Sequence, residues 1–100
     1  MDNLEEIRSR VDEVDAQMTS LFEQRMELVR EIFAYKTAHG LSIVDPSREE
    51  EIIRRNASTI TDSDIREYYV NFQREVLSLS RDWQRRLGEH PDPAEPYKSR

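Results

Sequence analysis

The chain has no cysteine and only two glycines in its 100 residues. Without cysteine there is no disulfide framework and no thiolate metal site. That argues against a small secreted scaffold and for a reducing compartment, with a cytoplasmic location expected. No stretch approaches the run of about eighteen apolar residues that a membrane span needs. The start, Met1-Asp2-Asn3-Leu4-Glu5-Glu6, is acidic and lacks an apolar run, so no signal peptide is expected there. Positive charge is also in deficit. The net charge is −6, the basic residues are dispersed, and no basic second helix of a helix-turn-helix is present. Neither nucleic acid nor membrane is expected as a partner. Hydrocarbon is scarce too: 36% of residues are hydrophobic and 36% charged, a low apolar share for a domain that must build its own core.

What is present is helical pattern. Leu4, Ile7, Val11, Val14, Met18, Leu21, position 25, Leu28, Ile32 and Tyr35 are spaced alternately three and four apart, which is a heptad seam. No proline or glycine interrupts it. Asn3 is placed to cap this helix, with Glu6 three residues on, and Gly40 suits the left-handed residue just past its end. A first helix over 4–38 follows. Asp45-Pro46 offers a capping aspartate and a proline pre-organised for the first helical turn, which predicts a second helix over 46–58. Thr61 or Asp62 caps a third, over 62–87, carrying Ile65, Tyr68, Tyr69, Phe72, Val76, Leu79, Trp83 and Leu87 at helical spacing. The fold class is all-α. Residues 1–87 form one helical domain. Residues 88–100, with Pro91, Pro93 and Pro96, contain almost nothing to bury and read as a mobile tail.

A helix over 4–38 is ~52 Å long at 1.5 Å per residue, whereas a compact chain of this length has a radius of gyration of ~13 Å. The other helices are too short to cover so long a seam, and left bare it would be an aggregation-prone stripe. A second copy of the chain, in an intertwined antiparallel helical homodimer, is the expected solution.

Most of the charge is solvated helix surface. Three features resist that reading. Arg25 occupies a seam position, where a guanidinium is costly unless it grips something. Lys36, eleven residues later, falls within ~20° of the same helix face. Asp45, Arg48 and Glu49 share the face of Ile52 on the second helix. On the third helix Ser80 and Gln84 are one turn apart, and Gln84 offers a donor and an acceptor without a charge. Each has a plain alternative: a register-setting polar residue, a snorkelling lysine, a capping aspartate beside a surface ion pair, or polar surface.

Taken in order, Arg8, Arg25 and Lys36 on a long helix, Asp45-x-x-Arg48-Glu49, then Ser80-x-x-x-Gln84 resemble the all-helical class of chorismate mutase in its short single-function bacterial form. The resemblance covers about residues 4–87. It implies an intertwined homodimer of three-helix chains that rearranges chorismate to prephenate, the branch step toward phenylalanine and tyrosine, with no metal or cofactor. Carried over by position, Arg25 and the partner subunit's Arg8 would grip the substrate carboxylates. Lys36 would bind near a carboxylate and the ether oxygen, and Gln84 would hydrogen-bond that oxygen. Asp45 and Glu49 would orient the ring hydroxyl, with Glu49 counted beside Lys36 and Gln84 as catalytic. Arg48 and Ser80 would complete the lining. Some family members are bound and activated by a larger shikimate-pathway synthase, a partner left open for this chain.

Two other readings compete. An isochorismate pyruvate-lyase on the same scaffold needs the same cationic grip, but the acidic pair Asp45 and Glu49 resembles the mutase more. A non-catalytic coiled-coil adaptor dimer would account for the seam. It would not account for Arg25 within the seam or for charges recurring on inward faces of three helices.

Overall fold

The structure is a computed structural model, and it describes residues 3–89. Three helices follow one another: α1 (Leu4–Ala38), α2 (Pro46–Ala57) and α3 (Ser63–Glu89). No strand occurs among the described residues, so the chain is all-α. α1 has the expected bounds, and α2 stops one residue earlier than expected. α3 runs through Gly88 to Glu89, because Leu87, only 3% exposed, anchors its last turn and Gly88 lies against the Phe33 ring. From residue 90 on, the expected mobile tail lies outside the described residues.

Local chemistry sets each boundary. The Asn3 side chain accepts the Glu6 N–H at 2.9 Å, satisfying one of the free donors of the first turn. At the other end of α1, Gly40 has φ +67°. The Leu41 N–H returns to the Lys36 carbonyl at 2.8 Å and the Gly40 N–H to that of Thr37 at 3.4 Å. This is a Schellman closure, which requires a left-handed residue at Gly40. Asp45 caps α2 by accepting the Arg48 N–H at 3.2 Å, with Pro46 opening the helix. Asp62 accepts the Asp64 N–H at 2.9 Å as α3 begins.

α1 and α2 each pack on α3 and not on each other. The chain is therefore flat. Its Cα positions span 55 × 34 × 15 Å with a radius of gyration of 17.1 Å, against ~13 Å for a compact chain of this length.

The buried apolar side chains among the described residues are Val29, Ile53, Ala57, Leu77 and Leu87. Only Val29 comes from α1, and Leu4 through Gln24 are exposed throughout. The face that α1 presents to α3 holds Arg25, Met26, Val29, Phe33 and Lys36, whereas Leu28, Ile32 and Tyr35 of the heptad series, each one position before a packed residue, are exposed. α3 shows the same offset. Of its apolar series Phe72 and Leu79 are exposed and Val76 and Trp83 half-buried, while the buried residues are Gln73, Leu77, Ser80, Gln84 and Leu87. Ser80 and Gln84 thus lie in the packed face. One residue is ~100° of helix. Each long helix therefore spends one face within the chain and leaves a second, apolar one bare. Leu21 is 60% exposed, Leu28 57%, Phe72 49% and Leu79 42%.

The two glycines should respond oppositely to alanine. Gly40→Ala forces a Cβ into the left-handed region and should cost about 1–2 kcal/mol. At Gly88 the new Cβ would meet the Phe33 ring at an ordinary 3.6 Å. Gly88→Ala should stabilise by about 0.5–1 kcal/mol through better helix propensity. Urea denaturation of both variants checks the signs.

Candidate active site

The contact between α1 and α3 is unusual in what it buries. Arg25 is half-buried, and its Nη1 donates to the Ser80 hydroxyl. That hydroxyl in turn donates to the Val76 carbonyl at 2.9 Å. Burial lowers the Arg25 pKa from its ordinary value, with Tyr69 opposing the shift. A guanidinium nevertheless stays protonated in proteins, so a cation sits inside the helix pair. Its one hydrogen-bond partner among the described residues is a neutral hydroxyl.

Gln84 lies one turn beyond Ser80 and is 6% exposed. Its amide nitrogen reaches the Ser80 carbonyl only at 3.5 Å. Its carbonyl oxygen is buried without a partner among the described residues. An unsatisfied buried polar atom costs about 1–3 kcal/mol. Lys36, on the α1 face that carries Val29, donates its ammonium to the Ile43 carbonyl at 2.8 Å. This contact draws the loop after α1 back over the helix end. Two of the three ammonium donors remain.

α2 contributes Glu49, half-buried, whose Oε1 accepts from Arg81 of α3. The other predicted residues point elsewhere within the chain. Arg48 is exposed and pairs with Glu51 at 2.9 Å, because the inward face of α2 is centred on Ile53 and Ala57, which leaves Arg48 at its margin. Asp45 is exposed and acts as the α2 cap. Arg8 is exposed and lies 3.4 Å from Glu5. It is seventeen residues before Arg25, ~25 Å along the same helix.

Three contacts near the site were not anticipated from the sequence. Arg81 follows Ser80 directly and precedes Gln84 by three, a spacing that places it on the face of Gln84. The Trp83 indole donates to the Met26 carbonyl at 3.1 Å, with the Arg30 guanidinium 5.3 Å from its ring centre. The Tyr69 hydroxyl donates to buried Gln73 at 2.7 Å. The indole contact ties α3 to α1 beside Gln84. No group of three His, Cys, Asp or Glu that could hold a metal ion occurs among the described residues.

The sequence model described as chorismate mutase type II matches residues 7–85. The chain belongs to that family. It is 41% identical over 49 residues to the T-protein of Haemophilus influenzae, covering 49% of this chain and 13% of that protein. It is 34% identical over 55 residues to the chorismate mutase of Methanocaldococcus jannaschii, covering 55% of this chain and 56% of that protein. The chain thus spans less than two-thirds of either relative. The family match takes in every candidate residue from Arg8 to Gln84.

The open amide gives a test that needs no substrate. Gln84→Met keeps the side-chain volume and removes the unpartnered carbonyl. It should stabilise the fold by about 1–3 kcal/mol. Chemical denaturation showing a loss of stability would contradict the burial described.

Proposed function

We propose that this chain is a chorismate mutase, which converts chorismate to prephenate in the cytoplasm as a step toward phenylalanine and tyrosine. The observation that carries this reading is Arg25: a half-buried guanidinium whose one hydrogen-bond partner among the described residues is the neutral Ser80 hydroxyl. A cation kept so, on a face shared with Lys36, suits a small dianionic ligand. The family match supplies the reaction.

The reaction is a concerted isomerisation. The ether C–O bond breaks as the new C–C bond forms, and no proton or group leaves. The protein's task is to fold the substrate compactly and hold it there. Arg25 grips a carboxylate. Negative charge grows on the departing ether oxygen, where the Lys36 ammonium and a Gln84 N–H stabilise it more in the transition state than in the ground state. Glu49 accepts from the ring hydroxyl, assisted by Asp45, and Ser80 holds the Arg25 fork. Arg48 joins the lining once its side chain leaves Glu51.

The second carboxylate needs another cation. Arg8 is too far along its own helix, so the site takes the partner subunit's Arg8. This requires a homodimer whose long helices cross antiparallel. Two features support it: α1 and α2 pack on α3 and not on each other, and the α1 residues Leu4, Ile7, Val11, Val14, Met18 and Leu21 are exposed. The apolar faces left bare on α1 and α3 become the dimer core. The reaction as written needs no metal and no cofactor. A larger synthase that binds and activates the dimer fits the same reading but has no surface of its own assigned.

Purified protein without added metal should consume chorismate and form prephenate. Release of pyruvate from isochorismate instead would favour the lyase, and indifference to both would favour an adaptor. Lys36→Ala and Arg25→Ala should each lose at least about a hundredfold in kcat, the scale of one preorganised donor. In Gln84→Glu the new carboxyl donates only when protonated, so activity should fall as pH rises through its pKa and survive only in acid. Sedimentation equilibrium should give two chains per particle, and a folded monomer at micromolar concentration would overturn the dimer.

A further inference from the structure

Glu49 is held by an arginine to which the reaction above gives no role. Its Oε1 accepts from Nη1 of Arg81, thirty-two residues later in the chain. The Arg81 and Glu49 side chains are only 27% and 20% exposed. A second ion pair joins the same two helices, Arg74 to Glu50 at 2.9 Å, but its side chains are 53% and 60% exposed. Arg74 lies two turns before Arg81 and Glu50 is the next residue after Glu49. The two pairs therefore share helices and chemistry. They differ in that one is sheltered and ends on a residue of the site.

The arrangement leaves the Glu49 carboxylate half occupied. Oε1 is taken by Arg81, and Oε2 has no partner among the described residues. A glutamate has three rotatable bonds, and α2 is anchored to α3 by little apolar surface, with Ile53 and Ala57 its buried side chains. Left alone, the carboxylate would sample many orientations. Fixed by one oxygen, it presents the other in a single direction, which is the preorganisation a substrate-orienting group requires. Arg81 itself stands between Ser80 and Gln84 in sequence, with its guanidinium turned to α2.

We infer that Arg81 is a positioning residue, which aims the free oxygen of Glu49 into the site without touching the substrate. The inference rests on the reading of the chain as a chorismate mutase. It makes α2 a part whose angle on α3 is set by charge, with the Arg81–Glu49 pair as its functional clamp and the Arg74–Glu50 pair as a structural one.

The test compares Arg81→Gln with Arg74→Gln in the full chain, by steady-state kinetics on chorismate and by thermal melting. Arg81→Gln should lower kcat/KM by about ten- to a hundredfold, and Arg74→Gln should stay within about twofold, an exposed pair contributing little. Both should melt near the wild-type midpoint. Arg81→Lys, which restores the cation without the fork, should recover part of the loss. In a Glu49→Gln background, Arg81→Gln should cost little more. Equal behaviour of the Arg81 and Arg74 variants overturns the inference, as does an undiminished Arg81 effect in the Glu49→Gln background. A wild-type chain that leaves chorismate unchanged overturns the functional reading and this inference together, whereas an active wild type with an indifferent Arg81→Gln overturns the inference alone.

Discussion

Arg25 reaches from α1 to the Ser80 hydroxyl on α3, from a position half removed from water and with no carboxylate bonded to it among the described residues. Taking a guanidinium out of water costs several kcal/mol before any partner is counted, and a neutral hydroxyl returns only part of that. The helices must therefore be held together by something else. Val29 on α1 and Leu77 and Leu87 on α3 are buried, and the Trp83 indole bonds the Met26 carbonyl across the two helices. These contacts hold the helix pair in register, yet the same face buries Gln73, Ser80 and Gln84. Polar chemistry occupies ground that hydrocarbon would fill in a helix pair built for stability.

The hydrocarbon is present, but one residue away. The apolar series on both long helices are rotated by a single position, ~100°, from the faces that meet within the chain. A lone chain therefore exposes Leu21, Leu28, Phe72 and Leu79 while burying amides and a guanidinium. This is the expected consequence when one helix must serve two interfaces. As proposed here, it gives the polar face to the site and the apolar face to a second layer. On the proposed reading, that second layer is another copy of the chain, and the same copy brings the cation that Arg25 and Lys36 lack.

The helices were legible in the sequence because their ends are written in residues whose chemistry is local. Asn3, Asp45 and Asp62 cap, Pro46 opens a helix, and Gly40 supplies the positive φ. Arg25, Lys36, Ser80 and Gln84 were legible because a polar residue at helical spacing among apolar ones stands out. Which of two adjacent faces would pack inside the chain was not legible. The heptad pattern on α1 is satisfied equally by a partner in cis or in trans, and a rotation of one residue leaves the pattern unchanged. Arg81 escaped notice for a related reason. Nothing local marks it among the charges at Arg81, Asp82, Arg85 and Arg86, and its partner is thirty-two residues away on another helix.

Net charge is a poor guide to such a site. The chain carries −6 overall, yet the face between α1 and α3 holds Arg25 and Lys36 with no carboxylate bonded to either among the described residues. The acidic groups are spent at the surface, on helix first turns and on exposed pairs such as Glu5 with Arg8 and Glu51 with Arg48. Water screens those charges within about a Debye length, but it screens a sheltered cation far less. The one sheltered carboxylate nearby, Glu49, is bound to Arg81 and does not neutralise Arg25 or Lys36. The local field is therefore set by which charges are kept from water and which from one another. On the proposed reading, three helices hold that arrangement only while the apolar faces turned away from it are covered, so the dimer that would cover them and the proposed anion site depend on the same rotation.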